Sequence, residues 1–439
     1  MAVAASERRE GEWGEGLSLG RMSGGRVVDR GSTAFLGIVA LVMAMPASSI
    51  DLLLPTFPDM REAFGLAPGS TEVARVITSF FLGLALGQLV YGPLSDRYGR
   101  KPVLYAGLAV FVVGAAGSIA APSLGALVAW RALWGFGAAA PRSLAMAIVR
   151  DSFDGEAMAR AMSLIMAIFI LVPVVAPSVG SGVLAIASWR VVLGVPVGVA
   201  AVVALLLVRM PETLAPADRR PLDRKALGDA VRTVVTSRTS VTHGLAATCL
   251  FGVMVGFIGT VEATIDQVFH QSGAFPPLFA ALAGSMAVGS LLSARLVVRY
   301  GLARLVRMLS FVLVVAAALH ATLVLATDGR PPLWAWLATM AFLLPSLMML
   351  LPNTNTVAMT PLGEVAGMGA AILGALMTGG GALLGAVVDA NFDDTAVPFG
   401  VCALAFTAVA AVLLALGRAR AVDPARDGST GQAVVRSAA

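Results

Sequence analysis

The chain has 439 residues, 58% of them hydrophobic and 13% charged, with a formal net charge of +5 and a mean hydropathy of +0.85. Such a composition excludes a soluble globular domain. No stretch interleaves basic and aromatic residues in the manner of a nucleic-acid groove, so the positive balance does not point to DNA or RNA.

In chain order, residues 1–32 are polar and rich in Gly, Glu and Arg, without the apolar core of a signal peptide. They read as a disordered cytoplasmic lead, with Met22 as an alternative start. Apolar segments follow at about 33–55, 71–94, 102–121, 124–148, 159–184 and 188–208, and again at about 243–266, 276–298, 305–326, 332–352, 366–388 and 396–417. Each approaches the ~20 residues that carry a helix across a bilayer. The expectation is an all-α integral membrane protein whose twelve transmembrane helices form two six-helix halves, residues 33–208 and 243–417. Residues 209–242, with Pro211, Pro216 and Pro221, are the expected cytoplasmic linker, and residues 418–439 a cytoplasmic tail. Most Lys and Arg fall in the lead, the alternate loops and the tail, whereas the opposite loops keep Arg61, Arg190 and Arg330. That bias places both termini in the cytoplasm and the protein in the cytoplasmic (inner) membrane. Cys249 and Cys402 lie in separate apolar runs, so no disulfide is expected.

One stretch organises the rest. Gly87 to Lys101 ends a glycine-spaced apolar helix in a turn holding Asp96, Arg97, Arg100 and Lys101, charges that mark a membrane surface. It recurs as Gly289 to Gly301, pairing Gly87 with Gly289, Arg97 with Arg299, Tyr98 with Tyr300 and Gly99 with Gly301 at a common offset of 202 residues. The copy has Val298 where Asp96 would fall.

Ionisable residues at membrane depth are functional candidates because each is expensive to hold there. Asp51, Arg131, Arg142, Glu262 and Asp266 are the clearest, with His320 a weaker case. Asp51 lies four residues before the expected outer end of span 1 and Arg131 about seven after that of span 4, both roughly 6–10 Å deep at 1.5 Å per residue. They are expected to meet, either as a static salt bridge or as a coupling pair in which Asp51 alternates between a proton and the substrate or Arg131. Glu262 and Asp266 share one face of span 7. Glu262 either attracts a cationic substrate or is a solvated, loop-facing carboxylate. Met43, Asp51, Trp134 and Glu262 are the inner-facing candidates for contact with a substrate. Span 5 carries Pro173, Pro177, Gly180 and Gly182 around Ala176, which predicts a bent, closely packed helix. Gly135-Phe-Gly137 matches a dinucleotide fingerprint only superficially, inside a span and after no strand. No phosphate loop, metal-ligand cluster or nucleophile–base–orienter set is present, so neither an enzyme nor a bound cofactor or metal is expected.

The ten residues Gly92-Pro-Leu-Ser-Asp96-Arg97-Tyr-Gly99-Arg100-Lys101 resemble the signature loop between spans 2 and 3 of the major facilitator superfamily. Within that superfamily the first half is similar to the bicyclomycin and chloramphenicol resistance (Bcr/CflA) drug/proton antiporters. Asp51-Leu-Leu-Leu-Pro55, Gly87-Gln-Leu-Val-Tyr, Arg131 with Gly135 and Gly137, Arg150-Asp151, Ala176-Pro177 with Gly180, and Pro211-Glu-Thr-Leu214 carry the likeness. The resemblance implies the major facilitator fold and alternating access to a central site. It also implies efflux of small, partly apolar molecules by a monomer that uses the proton gradient and no cofactor. Asp51 and Arg131 would couple protons. Gly92, Asp96, Arg97, Gly99, Arg100 and Lys101 would form a conformational latch, Asp96 meeting the N-terminus of span 11 near Gly363 to Met368. Pro173, Ala176, Pro177 and Gly180 would be the antiporter-motif helix, with its bend as a seal between the halves. Leu53, Trp134 and Ser181 depart from that branch's usual Tyr, Gln and Gly, and Met43 stands where some related pumps have a second acid. These departures leave open a dedicated metabolite transporter or, further off, a non-transporting sensor.

Overall fold

A computed structural model describes residues 32–219 and 224–417. The expected lead (apart from Ser32) and tail lie outside the described residues. Twelve helices are long and apolar enough to cross a membrane: α1 (Thr33–Ala63), α2 (Thr71–Tyr98), α3 (Arg100–Ile119), α4 (Leu124–Ser152), α5 (Gly155–Leu184), α6 (Trp189–Arg209), α7 (Arg238–Val268), α8 (Ser272–Tyr300), α9 (Leu302–Ala326), α10 (Leu333–Gly363), α11 (Ala366–Ala390) and α12 (Val397–Leu416). Spanning backbone must satisfy its own hydrogen bonds, and the helices do this internally. Their outward surfaces carry large exposed apolar side chains such as Leu205, Phe311 and Leu86, at home in lipid but not in water.

Local chemistry sets several of the ends. Ser123 and Ser237 cap α4 and α7 by accepting the backbone N–H of Ala126 and Ser240. Gly99 (φ 102°) and Gly301 (φ 75°) make the sharp joints between α2 and α3 and between α8 and α9, a backbone geometry that disfavours any side chain. The repeated glycine of the sequence is therefore one turn used twice. Arg97 stacks over Tyr98 and Arg299 over Tyr300, so the copies also share a side-chain contact.

In the first half α4 packs along both α2 and α3, while α1 lies against α4, α5 and α6. Gly83 and Gly135 permit the closest approach: a Cβ on either would overlap the Ala132 or Phe80 backbone carbonyl of the facing helix. In the second half α7 is sheathed by α10, α11 and α12, with α8 and α9 packed on α10. The halves meet where α2 lies on α11 and α5 on α8. The interval expected to be a linker includes a helix, Arg224–Thr236, whose Ala230 and Val234 are buried, Val234 against Ala358, Leu362 and Leu373 of the second half.

Candidate functional site

The site is built on a break in α1. Proline 55 has no N–H, so the carbonyl of Asp51, four residues earlier, has no helical donor. The first helical segment accordingly ends at Asp51, a 3₁₀ turn covers Leu54–Thr56, and an α-helix resumes over Phe57–Ala63. Span 1 does not end at Pro55 as expected. Asp51 stands roughly 18 Å along the axis from the end of α1, deeper within the helix than expected. Interrupted helices in transporters gather ion and substrate sites because their unpaired backbone needs partners.

Arg131 supplies one such partner. At the break the Leu53 N–H donates to Ile50, leaving the Ser49 carbonyl free, and Arg131 Nη1 donates to that oxygen at 3.1 Å. Its Nε donates to the Val76 carbonyl of α2 at 3.2 Å, and its guanidinium lies 4.5 Å from the Phe80 ring centroid and 4.7 Å from that of Trp134. The residue is fully buried. The expected Asp51–Arg131 pair is not formed: Nε and Nη1 go to the two carbonyls and the ion lies against two aromatic rings, while Nη2 has no hydrogen-bond partner among the described residues. Asp51 is itself 6% exposed, and no hydrogen bond or ion pair among the described residues engages its carboxylate. Arginine and carboxylate are nonetheless linked through the backbone, since Arg131 grips the carbonyl two residues before Asp51.

The α5 motif closes on the other side of the break. Ala176 packs with Leu52 and Val192, and a Cβ on Gly180 would lie 2.5 Å from the Leu52 carbonyl oxygen and 3.1 Å from Pro55 Cγ. Only glycine lets α5 come so near. The helix runs through Pro173 and Pro177 without interruption; its part in the site is this contact with α1.

The remaining substrate candidates separate. Met43 is buried on α1. Trp134 is fully buried in the first half, its ring edge-on to Phe80 and Phe111 and its backbone against Gly114, so it packs α2, α3 and α4 and does not face the second half. Glu262 is neither loop-facing nor free for a cation: it forms a two-pronged pair with Arg61, Nη1 to Oε1 at 3.1 Å and Nη2 to Oε2 at 2.5 Å, both residues about 4% exposed. Because α1 continues to Ala63, Arg61 is not in a loop but in the last turn of that helix, facing α7. Asp266 accepts the Gln267 side-chain amide, Arg142 is half-buried on α4, and His320 is buried with Nδ1 2.8 Å from Thr339 Oγ1.

The signature loop is bound within its own half. Arg100 reaches Asp96 at 2.5 Å, Ser95 Oγ at 2.6 Å and Asp151 at the end of α4 at 2.7 Å. Glu212, just beyond α6, accepts the backbone N–H groups of Arg100 and Lys101 at 2.9 and 3.0 Å, and Lys101 Nζ donates to the Val208 and Met210 carbonyls. A Cβ on Gly99 would lie 2.6 Å from the Glu212 carboxylate, which gives that glycine a second reason to be there. Gly92 has open space around it, and Arg97 is exposed over Tyr98. The ion pairs and hydrogen bonds among the described residues join Asp96 to Arg100 and not to residues 363–368.

Three features escaped sequence reasoning. Gln88 donates to Thr378 at 3.3 Å, joining α2 to α11 where α11 carries a π-helical turn, Leu376–Gly380. Glu212 was visible only as part of a Pro-Glu-Thr-Leu string. Asp389, buried on the last turn of α11, falls one residue beyond the predicted span and so went uncounted among the intramembrane charges. The ends of the halves on the Arg61–Glu262 side are also joined by Thr71, whose hydroxyl donates to the Asp389 backbone carbonyl at 2.6 Å, while Gly69 faces Gln267 and Asp394.

Comparison with known proteins accords with this construction. The chain is 29% identical over 383 residues to the uncharacterized MFS-type transporter YdgK of Bacillus subtilis, covering 85% of this chain and 92% of that one. It is 27% identical over 374 residues to a bicyclomycin resistance protein homolog of Haemophilus influenzae, covering 83% and 91%. A shorter match, 31% over 169 residues, is to multidrug resistance protein MdtL of Klebsiella pneumoniae, covering 38% and 42%. Among solved structures the D-xylose-proton symporter superposes with a TM-score of 0.70 at 13% identity, covering 86% of this chain and 96% of the symporter, a likeness of fold alone. The family described as Major Facilitator Superfamily matches residues 36–386. With twelve spans, the signature loop and this coverage together, the chain belongs to the Major Facilitator Superfamily of membrane transporters.

Proposed function

We propose that this transporter exports small, partly apolar molecules across the cytoplasmic membrane in exchange for protons, as a monomer with both termini in the cytoplasm. The observation that carries the reading is Asp51: a buried carboxyl without a partner among the described residues, at a break in α1 held by Arg131 and by Gly180. A lone carboxyl in apolar surroundings is neutral when protonated and demands a cation or water when it is not. Rocking of the halves that bares the break to one side and then the other lets Asp51 exchange its proton with each in turn. The loop-charge bias supports the orientation, and the resistance names of the relatives support an outward direction for drug-like cargo.

The test is Asp51→Asn, which keeps the shape and removes the titratable proton. In a pump-deficient host the variant is expected at wild-type abundance with at least a tenfold loss of proton-driven efflux from everted vesicles. Efflux that still responds to the proton gradient as in the wild type would remove Asp51 from the mechanism. The competing reading, a dedicated metabolite carrier, rests on the departures at Met43, Leu53 and Trp134; of these the Trp134 side chain is packed inside the first half, so its identity bears on helix packing.

A further inference from the structure

The coupling scheme leaves one buried carboxyl unused. Asp389 is 7% exposed on the last turn of α11, and its Oδ1 has no hydrogen-bond partner among the described residues. Both carboxyl oxygens press against α7 at Gly259, where a Cβ would overlap Oδ1, so the glycine opens the space in which the carboxyl sits. The backbone carbonyl of the same residue receives the Thr71 hydroxyl from the opposite half. Asp389 thus lies in the seam between the halves, roofed by the start of α2.

The charged groups on the surrounding elements are engaged elsewhere or wet. Glu262, one turn along α7 from Gly259, is bound to Arg61 of α1; Asp266, further along α7, accepts Gln267. At the start of α2, Arg75 pairs with Glu72 on the surface, and Asp393 and Asp394 after α11 are exposed. No cation among these reaches Asp389, and no group of three or more His, Cys, Asp or Glu among the described residues is placed to hold a metal ion. An ionised carboxylate enclosed in this way is strongly disfavoured.

We propose that Asp389 is a proton-binding site that locks the outer mouth of the transporter: it holds a proton while α7, α11 and the start of α2 are closed over it, and releases that proton outward when they part. Opening separates Thr71 from the Asp389 carbonyl and admits water to the side chain, where the charged form is welcome. The closed state then holds one more proton than the open state, so closure weakens as the outer pH rises, by at most about tenfold in the closed-to-open ratio per pH unit. This site is distinct from Asp51, and its behaviour requires no cargo.

The experiment uses the full chain in lipid nanodiscs without substrate, in a Cys249→Ser, Cys402→Ser background. Spin labels are placed at Pro68→Cys and Gln271→Cys, exposed positions on opposite sides of the seam. In the wild type the label distance is expected to widen from acidic to alkaline pH. Asp389→Asn, a mimic of the protonated form, is expected to stay narrow throughout, and Asp389→Glu to recover the response with a displaced midpoint. A wild-type distance indifferent to pH, an Asp389→Asn curve that tracks the wild type, or a response to sodium at constant pH overturns the proposal. Should Asp389→Asn fail to fold, the Asp389→Glu midpoint decides alone, an unchanged midpoint refuting the site. Because no cargo is present, the outcome is independent of the Asp51 efflux assay.

Discussion

Arg131 shows how a charge deep in a membrane can serve as backbone chemistry. Its guanidinium bridges a carbonyl of α1 and a carbonyl of α2 and lies in the corner between the Phe80 and Trp134 rings, so geometry counts for more than charge. Lysine keeps the charge but offers no planar fork and stacks less well. Arg131→Lys is therefore expected to lower the melting temperature in detergent and to lose most transport, since a buried acceptor left unpaired costs about 1–3 kcal/mol. A variant with wild-type melting and transport would show that charge alone suffices. At this scale much of the site was legible, because an acid or arginine inside an apolar run is conspicuous. Its partner was not legible: depth along the helix matched Asp51 to Arg131, yet azimuth and the freed Ser49 carbonyl directed the arginine to backbone instead.

At the scale of elements, the break in α1 joins the parts of the site. Pro55 frees the Asp51 carbonyl, the turn exposes Leu52 and Ser49, and Gly180 and Arg131 come to those groups. Restoring an N–H at residue 55 should let the helix run through. Pro55→Ala is expected to leave melting unchanged or higher, by up to about 1 kcal/mol as the helix gains a hydrogen bond, while transport falls at least tenfold. Unaltered transport would show that the break is dispensable. The apolar run of span 1 stops near this proline. Here the 3₁₀ turn repairs the chain and Arg61 is neutralised by α7, so the span continues.

For the whole molecule, the halves are fastened by Arg61–Glu262 and Thr71–Asp389, at the ends away from the signature loop. Removing one partner of a buried ion pair costs about 3–5 kcal/mol, which exceeds a hundredfold in population. Glu262→Gln should therefore widen the seam at every pH, and the exchanged pair Arg61→Glu with Glu262→Arg should restore closure in part. Label distances between residues 68 and 271 report both outcomes; a closed seam in the single variant would show that the pair does not hold the mouth. The signature loop belongs to the same scale, since Arg100, Asp151 and Glu212 tie the joint between α2 and α3 to the ends of α4 and α6.

The number of spans, the repeated turn at Gly99 and Gly301 and the presence of intramembrane charges were determined by the sequence alone. Hydropathy and the conformational freedom of glycine are local properties, written residue by residue. Only the tertiary structure decided which charges meet. Arg61 finds Glu262 across 201 residues of chain, Asp389 Oδ1 finds no hydrogen-bond partner among the described residues, and Arg131 takes a backbone carbonyl near Asp51 in place of its carboxylate. Such pairing depends on the direction in which each helix turns its faces once two six-helix halves have closed on one another, and no local pattern records that.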